Sequence, residues 1–422
     1  MNPLIPLPDA IPVAWGYLFA PLLALFPLHL LFMNCLLGGT AATLILQRRP
    51  GPLAAQLATE LSRALPLTMA FTVNSGVAVL LFLQVLYGQF LYTSSILMGS
   101  YWLAIVPLLL LAYYALYWVD LRYRRLGRWR TLLLAGVLAL LLLVPFLFSN
   151  NMTLMLDPQR WQGYFLQDGG TLLNLGELSL WPRYAHFIAA ALATGGLFVA
   201  ALGRFYGQRS PELAAYAKQF GMTLFSRLTL LQLLLGPLFL FSLPRPLRWQ
   251  ILGDSPLAAL LLVIALSLAA ALLASAWQQR IATSIALLVP LLGTMVALRA
   301  WLRSAYLSPH FNLDQLQVTP QYSPMLLFVA ALLVGSLLIS WLLYQAAVAL
   351  RSRALTGPLR IRPVQANSPR AKAPQHPCRQ QSVQRGLTRQ NCLHCSTIRA
   401  WYSLYRSLLC GRWSMNNRRI CS

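Results

Sequence analysis

Two histidines stand inside stretches that are otherwise apolar: His29 in FPLHLLFMNCLLGG and His186 in LWPRYAHFIAAALATGGLFVAAL. In a dry helical bundle a neutral imidazole has two ordinary uses. It hydrogen-bonds to a neighbouring helix, for a gain of about 1 kcal/mol, or it lends a ring nitrogen to a metal, above all to haem iron. Either histidine taken alone fits the hydrogen-bonding reading better. Asn34, Asn74, Gln84, Arg227, Gln232 and Arg299 share the same kind of setting. Polar and ionisable groups are costly at such depth, so each marks a candidate site by default. His310, His376 and His394 fall in a loop or the C-terminal tail, where a solvated role is expected.

Other chemistries lack their residues. The chain has no Gly-rich phosphate loop, no His-Glu-x-x-His and no nucleophile elbow. Aspartate and glutamate together number only 9. Asp120, Asp157, Asp168, Glu177, Asp254 and Asp314 lie at span ends or in loops, which leaves no evident buried acid for a proton relay. An enzyme acting on lipid would need an acid and base cluster, and none is visible.

The elements that must position these side chains follow from composition. A chain of 422 residues with 58% hydrophobic and 10% charged residues and a mean hydropathy of +0.61 is a polytopic membrane protein. Apolar stretches long enough to cross a bilayer recur at about 14–46, 65–91, 97–119, 132–148, 182–203, 221–243, 257–277, 281–301 and 325–350. Backbone groups in lipid must be satisfied within each span, so these are helices. The fold class is all-α, a transmembrane bundle of about nine spans.

Arginine placement orients it. Arg48, Arg49 and Arg63 follow the first span, Arg122, Arg124, Arg125, Arg128 and Arg130 the third, and Arg204, Arg209 and Lys218 the fifth. Alternate loops are poor in positive charge, which places the amino terminus outside and the carboxyl terminus in the cytoplasm. The start MNPLIPLPDAIPVAW has no basic n-region, so no cleavable signal peptide is expected. Membrane lipid is the expected surface contact, and no nucleic acid.

The chain divides at about residue 355. Residues 1–355 form the membrane domain and 356–422 a basic tail. From Arg351 to Ser422 there are 14 Lys and Arg and no Asp or Glu, with Cys378, Cys392, Cys395, Cys410 and Cys421. Cys392-x-x-Cys395 is half of a zinc knuckle, and Ser396 rules out the Cys-x-x-Cys-His of covalent haem attachment. A disordered tail, a basic arm on anionic lipid and a shifted reading frame after Arg353 all account for this composition.

The order of local patterns narrows the reading. His29 with FMNCLLGGTAATL, then NSGVAVLLFLQVLYGQFLYTSSILMGSYWLAIVPLLLLAYYALYW, then SNNMTLM, then RYAHFIAAALATGGLFVAAL resembles the succession in subunit I of the cytochrome bd quinol oxidase family. In that family a haem-ligating histidine lies in the first span and an Asn/Gly turn opens the second. A Phe-Gln-Gly stretch closes the second, an Asn-rich turn follows the fourth, and a second ligating histidine with Thr-Gly after it opens the fifth. The resemblance implies that His29 holds a high-spin haem and His186 a low-spin haem b, with Asn74, Gly76, Gln84, Gly88, Thr194 and Gly195 in the matching elements. It also implies a bacterial inner-membrane location, quinol as electron donor, and a second membrane subunit or a cytochrome c as partner.

Departures from the family pattern are equally specific. Gln84, Val106 and Tyr114 occupy the region where the family places acids in spans two and three. The connection after the sixth span, PRPLRWQILGDS, is short where the family's quinol loop is long. No methionine in PLAALLLVIALSLAAALLASAW matches the ligand opposite His186, and Met222, Met295 and Met325 lie in other spans. The expectation is therefore a haem-binding, oxidoreductase-type subunit of a respiratory electron-transport complex, without a complete oxygen-reducing site of its own. The rival is a haem-free structural subunit or transporter that kept only the bundle.

Overall fold

The computed structural model describes residues 4–123, 125–166, 169–206 and 210–355. Among these, the elements are α1 (Trp15–Arg48), α2 (Pro52–Leu97), α3 (Gly99–Arg122), α4 (Trp129–Leu156), α5 (Leu180–Tyr206), α6 (Pro211–Ser242), the short α7 (Arg245–Trp249), α8 (Pro256–Trp277), α9 (Ile281–Leu307) and α10 (Tyr322–Leu355). All but α7 are long and apolar enough to span a membrane, and the protein is a multi-pass, all-α membrane bundle in contact with lipid. Among the described residues β-pairing amounts to one parallel bridge, in which Ile11 exchanges hydrogen bonds with Gln317 (2.8 Å) and Thr319 (2.9 Å).

Several helices outrun the spans that hydropathy marks. α2 was expected at 65–91 and has 46 residues, about 69 Å of helix against a hydrocarbon core of about 30 Å, with a kink at Tyr87. Hydropathy sees only the part in lipid, whereas helical hydrogen bonding continues into the polar layers on both sides.

By internal contacts the chain separates into Met1–Ser340 and Trp341–Ser422. In the second unit the described residues are the helical ones up to Leu355, so the expectations for the basic tail lie outside the described residues. Within the first unit α5 is the central helix: half of its most apolar window is buried, and it packs most extensively on α6 and then on α1. Small residues make this closeness available. Gly195 lies on Gly38 with backbone touching backbone, and Gly196 and Gly221 do the same between α5 and α6.

The Asn-rich turn expected after the fourth span is helix instead. Ser149, Asn150 and Asn151 all belong to α4 and are buried. Asn150 donates to the Phe146 carbonyl at 3.2 Å and accepts from the Asn174 amide at 3.1 Å. Asn151 donates to the Ser95 hydroxyl at 3.2 Å and accepts from Ser94 at 3.3 Å. With every arm partnered, the asparagines have no reason to divert the backbone into a turn. Trp161, fully buried in the 3₁₀ turn Pro158–Phe165, then donates to the Leu154 carbonyl at 2.8 Å and closes the helix end.

Candidate functional site

His29 lies about 21 Å along α1 from Trp15, and His186 about 9 Å along α5 from Leu180. Both therefore fall toward the end of the bundle at which α1 and α5 begin. His29 is held against α2: its Nδ1 meets the Thr72 carbonyl at 3.1 Å. With the N–H on that nitrogen, Nε2 keeps its lone pair, the arrangement typical of a ligating histidine oriented by a carbonyl. Gly76 makes this fit available, since a Cβ there would lie 2.7 Å from Cε1 and 2.9 Å from Nδ1 of the ring.

A direct test follows. Gly76→Ala should destabilise the chain by about 1–3 kcal/mol, the ordinary cost of overpacking, read as a lower Tm. In a His29→Ala background the same substitution should cost almost nothing. Equal losses in both backgrounds would show that Gly76 does not seat the imidazole.

Asn74 and Gly76 part company. About 200° of helical rotation separates them, and Asn74 is exposed, its amide bonded back to the Ala70 carbonyl at 2.9 Å. Gly76 alone of the pair reaches the histidine. Asn74 and Gly76 lie in unbroken helix, so the expected Asn/Gly turn is absent. Gln84 is half-buried eight residues further along α2. Gly195, expected beside the second histidine on the strength of the resemblance, serves the α1–α5 crossing described above.

His186 faces α6. Its backbone carbonyl accepts a hydrogen bond from Gln232 Nε2 at 2.8 Å, and Gly236 leaves its Cε1 at contact distance, 3.8 Å from where a Cβ would stand. Its Nδ1 is buried with no hydrogen-bond partner, as is Oε1 of Gln232 beside it. A buried polar atom without a partner costs about 1–3 kcal/mol, so this histidine is arranged for something other than helix bridging. Met222, at the opposite end of the α5–α6 contact, packs with Ala193, Leu197 and Ala200, which leaves no α6 methionine opposite His186.

Around the histidines stands a group that sequence reading recovered only in part. Arg183 precedes His186 by three residues on α5, its guanidinium over the Phe239 ring at 5.2 Å. Arg299 lies over Phe26 at 4.9 Å and Phe187 at 5.4 Å, and Phe26 in turn stacks on His29 at 6.4 Å. Arg303, one turn along α9, lies over Tyr87 at 4.7 Å. Arg299 is electrostatically coupled to both of the others. Arg183 and Arg303 are each 7% exposed, and the Nε of each is without a partner.

Among the described residues no direct ion pair neutralises them. The nearby acids are Glu177, which accepts from the Ser179 amide at 3.3 Å and its hydroxyl at 2.8 Å, and Asp157, which pairs with Arg160 at 3.6 Å. Among the described residues the ion pairs are Arg63–Glu60 and Arg160–Asp157, and neither involves the trio. Of the three guanidiniums Arg183 lies within electrostatic reach of Glu177, and Tyr306 stands near Arg183, Glu177 and Asp157. Arg299 stood out in the sequence because it interrupts an apolar run. Arg183 and Arg303 lie near helix ends, where an arginine ordinarily marks the interface; the i, i+4 spacing of Arg299 and Arg303 was the available signal.

Fold and site together define a class: a multi-pass helical membrane protein with two histidines and a cluster of three arginines, without direct ion pairs among the described residues, in one half of its bundle. No family model and no curated protein matches the sequence. Among solved structures the chain is similar in fold to "bd oxidase from Geobacillus thermodenitrificans", with a TM-score of 0.57 and 15% identity over 85% of this chain and 100% of that one. At this identity the likeness is one of fold.

Proposed function

We propose that this chain is a haem b-binding integral membrane subunit of a respiratory electron-transfer complex, built on the bd-oxidase fold. His186 is the principal iron ligand and His29 a second one. The observation that carries the reading is the unsatisfied His186 Nδ1 one helical turn from Arg183, with Arg183 and Arg303 buried, Arg299 half-buried, and none of the three in an ion pair among the described residues. A b haem offers the complement of that set, an iron and two carboxylates. Bound there, it supplies a one-electron centre whose potential its surroundings tune.

The chain's own residues do the rest. The Thr72 carbonyl sets the orientation of His29, and Gln232 ties the His186 turn of α5 to α6. Phe26, Phe187 and Phe239 line the arginines and exclude water, which strengthens each charge interaction inside the site. Quinol is the donor in this reading, and a second membrane subunit or a cytochrome c completes the electron path. The chain sits in a bacterial inner membrane, amino terminus outside and carboxyl terminus cytoplasmic. Gln84, Val106 and Tyr114 are not acids, so protons for oxygen reduction would come through the partner subunit.

A dithionite-reduced minus air-oxidised spectrum of the purified protein, with a pyridine extract to count haem per chain, tests this. Wild type should show a b-type α band, and His186→Ala should lower haem content by more than about ten-fold, since even changes behind a metal ligand cost that much. His29→Ala, measured in parallel, should alter the spectrum. A colourless, well-folded wild type prepared with ample haem would move the assignment to a haem-free structural subunit or transporter.

A further inference from the structure

At the opposite end of the bundle, where the arginine-rich loops lie, the α5, α6 and α9 helices flank an open cavity of about 520 Å³. Arg204 from α5, Lys218 from α6 and Arg280 at the head of α9 line it, together with Gln279 and Thr283. Ile281, Ala282 and Thr283, the first turn of a 27-residue helix, also line it, and that turn receives no side-chain cap. Its amide donors and the positive end of the helix dipole therefore add to the three cations. Gln279, at φ 56°, turns the chain sharply before Arg280 and brings that residue to the cavity wall. Glu212, in the first turn of α6, is not among the lining residues.

We infer that this cavity is a site for the phosphate headgroup of an anionic phospholipid in the cytoplasmic leaflet. A phosphodiester suits three convergent cations and a helix start. The flanking side chains favour a lipid over a free anion. Phe205 next to Arg204 is 83% exposed, and Trp277, two residues before Gln279, is 64% exposed. Ile285 is exposed on the next turn of α9. A tryptophan at this level marks the membrane interface, and the apolar surface beneath the cations is where acyl chains would lie. A free phosphate would have no use for it.

The test is retention of phosphatidylglycerol against phosphatidylcholine by the full-length protein in mixed detergent micelles, read by native mass spectrometry. Each lysine or arginine near an anionic headgroup is worth about five-fold, so the triple variant Arg204→Gln, Lys218→Gln, Arg280→Gln should weaken phosphatidylglycerol binding by roughly a hundred-fold. All three side chains are exposed, so the variant should fold. A control, Arg122→Gln, Arg125→Gln, Arg128→Gln, removes equal charge from the α3–α4 connection and should leave binding unchanged. Equal weakening by both triples, or no preference for phosphatidylglycerol in wild type, would overturn the site. Displacement by millimolar inorganic phosphate would overturn the lipid assignment and leave a phosphate site.

Discussion

Replacing Arg303 by methionine should make the haem-free chain more stable and weaken its hold on haem. The side chain is 7% exposed, its Nε has no partner, it lies over the Tyr87 ring, and the like charge of Arg299 stands one turn away on α9. A buried charge without a counterion is among the costliest features a fold can carry, and apolar replacement of buried ionic groups typically stabilises by about 1–4 kcal/mol. The Arg303→Met variant without haem should accordingly melt several degrees higher. If the cation is retained for a carboxylate of the haem, the same variant loses a charge-assisted hydrogen bond of about 1.5–3 kcal/mol. Haem retention should then fall roughly ten-fold or more. Thermal melts with and without added haem separate the two effects. An apo protein that is destabilised by the change would show that Arg303 serves packing on Tyr87, and the ligand reading of the trio would fail.

The second large effect is at the crossing of α1 and α5. A Cβ added at Gly195 would fall on the backbone of Gly38, and one at Gly38 on the backbone of Gly195. Neither obstacle is the movable end of a side chain, so the helices themselves must separate. Gly195→Leu is expected to exceed the usual overpacking cost of about 1–3 kcal/mol and to abolish recovery of monodisperse protein by size exclusion. Because α1 carries His29 and α5 carries His186, the milder Gly195→Ala should lower haem content along with stability. Gly136 on α4 has nothing within 4 Å of its virtual Cβ, and Gly136→Leu should be neutral. If Gly195→Leu were equally well tolerated, the close approach of α1 and α5 would not be what holds the bundle.

His29 and His186 were legible from one line of sequence because each is a titratable interruption of an apolar run, a property of neighbours in the chain. Asn74 was legible as polar but not as outward-facing. Whether a polar side chain in a helix meets lipid or protein depends on what packs against that face, and α2 is too evenly apolar to reveal it. The Asn150–Asn151 pair misled for a related reason. Asparagine favours turns when its amide must bond locally, and here Ser94, Ser95 and Asn174 supply partners from residues far along the chain.

The sequence by itself determined that this is a membrane-spanning, all-helical chain, where its spans fall, and which end of the bundle carries the arginine loops. Those features follow from transfer of short segments between water and lipid, which is local and additive. Only the tertiary structure decided that Arg183 from α5 comes near Arg299 from α9, close to both histidines, and that no acid among the described residues forms a direct ion pair with either or with Arg303. Charge balance is a property of positions in space, and residues more than a hundred apart in the chain acquire it only when α5 and α9 are brought into one bundle.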